Sequence, residues 1–415
     1  MPRETSTDDS RPVPPDRRIS SIDVLRAIAL FGVLAVNLIN EFRVSIFQQF
    51  LPLIAGGSWW DHAVETAVSV GLELKAFALF SILFGVGLAI QFERLAGNPT
   101  RGKLLVRRLL VLLGFGLVHL CLIWNGDILT EYAIVGLLAL PALYVSSRLV
   151  AIAGLVALVI YAALPLWLPP TFFPGDAWLR QHVAEATLAY SQGSWTEVVR
   201  YNLREIPALI PLHLLVAPRT FGLFLLGMAV WRTGLLRQPE RYRALISGAA
   251  VLGLVLGFGM SVLDPPRPSS PFHAWGSIVS MMTTIAPVVL AVGYGASIVA
   301  FFAFTRASRV LRVFAPLGRM AFTNYLAQSL IFGWIFFGYG LGLFGRMSAS
   351  HAIVIGMAVY LVQIAWSHWW LRRFRFGPME WLWRTLMYGT RQSWRISRPT
   401  TSESAPSTRE PPTPD

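Results

Sequence analysis

Residues Arg18 to Asn40 read RISSIDVLRAIALFGVLAVNLIN. From Val24 to Ile39 this stretch is apolar except at Arg26 and Asn37. With its flanks it is long enough to cross ~30 Å of hydrocarbon as a helix at ~1.5 Å per residue. Arg26 and Asn37 are eleven residues apart, so at roughly 100° per residue they fall about 20° apart on one face. Their separation along that face is ~16 Å. A charged side chain inside a membrane helix is costly and usually faces a bundle interior or a wet cavity. The plainer reading is an Arg26 that reaches the lipid headgroups and pairs with Asp23, and an Asn37 that bonds a neighbouring helix. The shared face favours a pathway between the two.

The same logic extends outward. The chain has 415 residues, 54% of them hydrophobic and 14% charged, against roughly 25% charged in soluble domains. It reads as an all-α, polytopic membrane bundle whose partner is the lipid bilayer. The net charge of +13 gathers on no polar domain, which argues against a nucleic-acid partner. One cysteine, Cys121, allows no intrachain disulfide. The polar, Pro-rich residues 1–18 lack the parts of a signal peptide and read as a retained cytoplasmic tail.

Ten apolar spans are expected, near 22–40, 67–92, 105–124, 128–145, 149–168, 207–230, 244–263, 276–304, 319–338 and 351–371. With the N-terminus inside, the inner segments hold 26 basic residues and the outer ones 6. That asymmetry places both termini in the cytoplasm. The expected organisation is a tail over 1–18, a membrane domain over 19–371, an interfacial amphipathic segment over 372–395 and a disordered tail over 396–415. The membrane domain divides into 19–168, an outer connection at 169–206, and 207–371. The outer connection is too polar to span and could cover the outer mouth. Trp59 and Trp60 read as interfacial anchors. Pro207, Pro211 and Pro218 are expected to break or kink the sixth span.

Polar residues at depth mark the candidate site. Glu73 and Lys75 are two apart and face different ways. Arg108 and His119 repeat the eleven-residue spacing of the first span. Asn125-Gly126 reads as a tight turn and Asp127 as an N-cap, with Glu131 one turn on. Asn324 and Gln328 share a face later in the chain. His213 and His368 read as packing residues; His62, His182, His273 and His351 read as solvated. No histidine spacing suits a metal, and no Ser–His–Asp arrangement is visible in the residue order.

Several segments carry a resemblance: SIDVLRAIALFGVLAVN (21–37), FSILFGVGLAIQFER (80–94), GLVHLCLIWNGDILTEYAIVG (116–136), PLGRMAFTNYLAQS (316–329), YGLGLFGR (339–346) and RFRFGPMEWLWRTLMYG (373–389). On these the chain resembles the YeiB-type membrane proteins (domain of unknown function 418), which implies a bacterial cytoplasmic membrane and, by usual description, transport. The opening helix also resembles the transmembrane acyltransferases, including acyltransferase family 3 and the heparan-α-glucosaminide N-acetyltransferase type. Those proteins take an acyl group from a cytoplasmic thioester to an extracytoplasmic, often sugar, acceptor. Arg26 matches the arginine of family 3, while Asn37 stands where its histidine would be. GRMAFTNYLAQ resembles a late element that ends in His, with Gln328 in that place.

Acyl transfer needs a base, a group to orient it and donors to a developing oxyanion. His119 suits the base, and Asp127 or Glu131 the orienting group. Asn37 and Lys75 can donate to the oxyanion, with Glu73, Asn324 and Gln328 as further substrate contacts. Arg26, Arg107 and Arg108 are placed for the phosphates of acyl-CoA, the expected co-substrate, with no metal. The acceptor is a sugar, glycan or lipid. A transporter would use Glu73, Lys75, His119 and Glu131 as a proton relay and the Pro-rich span as a gate, although no internal repeat relates the halves. A scaffold without chemistry needs no such cluster.

Overall fold

The computed structural model describes residues 19–51, 57–168, 172, 174–262, 278–306 and 308–396. The terminal tails expected over 1–18 and 396–415 lie outside these residues apart from Ile396, as do Pro169, Pro170, Arg267 and His273. Among the described residues every regular element is helical, with one isolated bridge between Phe374 and Arg395.

In chain order the helices are α1 Ser20–Asn37, α2 Trp59–Gly71, α3 Lys75–Arg94, α4 Arg101–Val118, α5 Leu129–Ala139, α6 Ser147–Trp167, α7 Asp176–Gln192 and α8 Trp195–Arg232. They continue as α9 Arg243–Val262, α10 Ile278–Phe304, the short α11 Ser308–Leu311 and α12 Ala315–Arg319, then α13 Ala321–Phe336, α14 Ala349–Leu371 and α15 Pro378–Tyr388. Among the described residues, eight stretches are long and apolar enough to cross a membrane. The other two of the ten expected spans fall on shorter helices, Leu129–Tyr144 and the 16-residue α13. Sixteen residues reach only ~24 Å.

Two other expectations change. α2 and α3 form one stretch in length, but the chain breaks between them at Leu74, the one non-glycine residue with positive φ (61°) among those described. A left-handed leucine is strained, and it separates the directions of Glu73 and Lys75. In contrast, α8 runs unbroken for 38 residues through Pro207, Pro211 and Pro218. The boundary expected at 206–207 lies inside it. At ~1.5 Å per residue it is ~57 Å long, so its first turns project past the bilayer, where α7 packs beside them.

α1 sits at the centre, with 13 of its 18 residues buried. It packs against α3, α12, α13 and α14. Without a hydrophobic drive between helices in lipid, small residues permit close contact. α3 and α8 cross at Gly85 and Gly227: a Cβ at Gly85 would lie 2.1 Å from the Phe224 carbonyl oxygen, and one at Gly227 2.1 Å from that of Ile82. α9 and α10 meet in the same way at Gly253 and Gly293. At one end of the bundle lie the basic loops; we call this the basic end and the opposite one the far end.

Candidate functional site

A cavity of about 390 Å³ opens at the basic end. Arg26, Arg94, Arg108, Arg319, Arg375 and Arg384 line it, with Asp23 and Glu380 as the carboxylates. Deeper, its walls turn apolar through Leu30, Val33, Leu83, Phe84 and Leu112, and it reaches Ile128, Leu129, Tyr132 and Tyr325. Arg26, Leu30 and Val33 form one stripe of α1, and Arg108 and Leu112 one stripe of α4, as 3.6-residue spacing requires. Arg26 pairs with Asp23 at 3.2 Å and stays 30% exposed, toward this cavity. Arg108 donates to Gln91, and its guanidinium lies 4.5 Å over the Trp383 ring.

α15 closes one side of the mouth. Trp383 Nε1 donates to the Arg108 carbonyl at 3.0 Å. The Glu380 carboxylate accepts from the Phe322 and Thr323 amides at 2.9 and 3.1 Å and from the Thr323 hydroxyl at 2.5 Å. Burial pushes that carboxyl above the usual range, while these hydrogen bonds pull it down. The segment expected to lie along the lipid surface is thus docked against α4 and α13.

At the blind end, His119 and Asp127 meet. Nδ1 of His119 is 2.8 Å from Asp127 Oδ1, and Nε2 is 2.9 Å from Ser329 Oγ. All three residues are at most 2% exposed. Asp127 Oδ2 also accepts from the Thr130 amide at 2.7 Å, which satisfies one free donor of the first turn of α5. With the carboxylate accepting from Nδ1–H, Nε2 is the acceptor side of the ring and the Ser329 hydroxyl donates to it. A Ser–His–Asp arrangement is therefore present, contrary to expectation from the residue order. Its serine is 210 positions from its histidine. The Tyr325 ring lies 5.3 Å from that of His119 and separates the trio from the cavity. Its buried hydroxyl, near the Ile128 amide, makes no hydrogen bond of good geometry.

The tripeptide Asn125-Gly126-Asp127 ties this trio to the far end. Asn125 donates to the buried Glu205. A Cβ at Gly126 would lie 2.2 Å from Glu41 Oε2 and from the Trp124 ring, so only glycine admits that carboxylate and that indole together. Glu205 also accepts from Tyr190 at 3.0 Å and sits 2.7 Å from His182 Nε2. Burial, with Glu205 alongside, raises the Tyr190 phenol well above its usual range. His182, expected to be solvated, is instead stacked on Trp178 at 4.4 Å.

The remaining expected site residues divide. Glu131 faces α8, 3.0 Å from His213 Nδ1 and 2.5 Å from Thr220 Oγ1, so His213 has a polar partner rather than a packing role alone. Lys75 donates to the Ser69 carbonyl at 2.9 Å. Glu73 lies close enough to Glu41 for their charges to interact. Asn37 is buried, with its Oδ1 lacking a hydrogen bond. Arg107 is exposed and lies outside the cavity, beside Gly389. Asn324 donates to Ser367 at 3.1 Å and Gln328 to Gln363 at 2.8 Å, which fastens α13 to α14 away from the cavity. The arginines and the His119–Asp127 pair thus share one axis, and Glu131, Lys75, Asn324, Gln328 and Arg107 do not lie on it. Sequence reading missed Ser329, Tyr325, Glu41, Gln91, Arg384 and Glu205. Of these, Glu41 and Glu205 carried a signal: each is an acid beside or within an apolar span.

Among the described residues, eight membrane-length helices, five of which line a cavity with a charged mouth, define a polytopic integral membrane protein. The chain belongs to the YeiB-type family, as its sequence resemblance implied. The family described as protein of unknown function (DUF418) matches residues 230–390. The chain is 34% identical over 402 residues to YxaH of Bacillus subtilis (strain 168), covering 91% of this chain and 96% of that protein. It is 27% identical over 389 residues to YeiB of Escherichia coli (strain K12), covering 88% and 95%. These names carry no activity, so a functional reading rests on the site.

Proposed function

We propose that this protein transfers an acyl group from a cytoplasmic acyl thioester, acyl-CoA, to a hydroxyl-bearing acceptor on the other side of the membrane. The observation that carries this reading is the cavity: arginines at its mouth, apolar walls, and His119 behind Tyr325 at its blind end. Guanidinium groups suit the phosphates of the nucleotide end. The apolar walls suit the pantetheine arm. His119 lies ~16 Å along α4 from Arg108, too far for a nucleotide held there but within reach of an extended arm. The excess of basic residues at this end supports a cytoplasmic mouth. His119 then serves as general base, held in one tautomer by Asp127.

A transporter is the second reading. It is favoured by the acids and histidines that continue from Asp127 to Glu41, Glu205 and His182. The unbroken α8 weakens it, because a broken helix was its gate.

The test is thioester turnover by the purified protein with radiolabelled acyl-CoA, beside mass spectrometry of surface glycans and lipids with and without the gene. His119→Ala is expected to lower transfer by about 10²–10⁴-fold with acyl-CoA binding retained, and Asp127→Asn by less. If no acyl product depends on the wild-type protein, transport becomes the better reading.

A further inference from the structure

We propose that Ser329 carries the acyl group, as an ester on its Oγ, between donor and acceptor. This rests on the acyl-transfer reading above. Both nitrogens of His119 are engaged, Nδ1 with Asp127 at 2.8 Å and Nε2 with Ser329 at 2.9 Å. The proton within reach of the base is therefore the serine's. An acceptor hydroxyl could use Nε2 directly only after displacing Ser329. A serine within a helix ordinarily donates to its own helix four residues back. Here that carbonyl, of Tyr325, is at 3.4 Å, farther than the histidine.

Access has a built-in route. Tyr325 stands one turn before Ser329 on α13 and forms the cavity wall in front of it. Its hydroxyl makes no hydrogen bond of good geometry, so turning the ring aside gives up only its loose contact with the Ile128 amide. A thioester arm that has climbed the cavity then meets Oγ. The arrangement also suits the topology. Donor and acceptor approach from opposite ends, and a covalent carrier frees them from being bound at the same moment.

The chemistry balances. Ser329 Oγ attacks the thioester carbonyl carbon and its proton passes to His119 Nε2. The C–S bond breaks, and the departing thiolate takes that proton and leaves as the thiol. The acceptor hydroxyl next attacks the seryl ester and gives its proton to Nε2. The C–Oγ bond breaks, and Oγ recovers the proton. The net change is thioester plus alcohol to thiol plus ester.

The experiment incubates the full-length protein in lipid nanodiscs with acetyl-, butyryl- or palmitoyl-CoA and no acceptor, followed by peptide mass spectrometry. The expected result is an acyl mass on the peptide that contains Ser329, absent in Ser329→Ala and in His119→Ala. Turnover in Ser329→Ala should fall more than about 10²-fold. Ser329→Cys guards against a folding defect: its adduct is a thioester, which neutral hydroxylamine releases. If wild-type turnover requires His119 but no Ser329 adduct forms and Ser329→Ala turns over normally, the covalent carrier is overturned while acyl transfer stands. If the wild type consumes none of the three thioesters, acyl transfer falls and this proposal falls with it.

Discussion

Arg108 lines the cavity, while Arg107, one residue earlier, is exposed and outside it. A helix turns each successive side chain by about 100°, so neighbours in sequence do not share a duty. Arg108→Gln is therefore expected to weaken acyl-CoA binding several-fold, and more at low salt, where charge pairs are less screened. Arg107→Gln should leave it within twofold. Calorimetric titration of both variants with acyl-CoA checks this, and equal losses would remove Arg108 from phosphate recognition. The pairing of His119 with Asp127 was legible because a short turn joins them and the eleven-residue spacing aims His119 along the face of Arg108. Ser329 was not legible. No local pattern links positions 210 apart, and a lone serine in an apolar helix gives no signal of its own.

Helix type and most helix positions followed from apolar run length, since lipid leaves the backbone no partner but itself. Where reading failed, side-chain rules met tertiary context. Three prolines did not interrupt α8; a membrane helix tolerates proline where neighbouring helices and local adjustment re-satisfy the freed carbonyls. The break at Leu74, by contrast, has no proline to announce it, and only Gly71, the last residue of α2, as a signal. The crossing of α3 over α8 leaves no room for a side chain at Gly85 or Gly227. Gly227→Leu must push against the Ile82 carbonyl, and overpacking of this kind costs about 1–3 kcal/mol or more. Its melting midpoint in detergent should fall below that of wild type. Gly248→Leu is the control, since nothing lies within 4 Å of a Cβ built there. Equal midpoints for the two variants would mean that the crossing adapts freely.

Orientation belongs to the molecule as a whole. The 26-to-6 division of basic residues is expected to place Lys103 and Arg241 in the cytoplasm and Arg180 outside. All three are exposed. With Cys121 replaced by Ala, cysteine at position 180 should react with an impermeant maleimide on intact cells. Cysteine at 103 or 241 should react only after lysis. The reverse pattern would invert the molecule and move the arginine-lined mouth outside.

The central placement of α1 has a consequence for biogenesis. Among the described helices it is made first, yet α12, α13 and α14, which pack on it beside α3, come near the end. For most of synthesis Arg26 and Asn37 wait in the membrane without those neighbours. His119 likewise waits for Ser329 until α13 emerges. The bundle cannot close outward from its start, and a chain that stops before α13 lacks the contact between His119 and Ser329. The proposed site is therefore assembled only once α13 has joined the helices made before it.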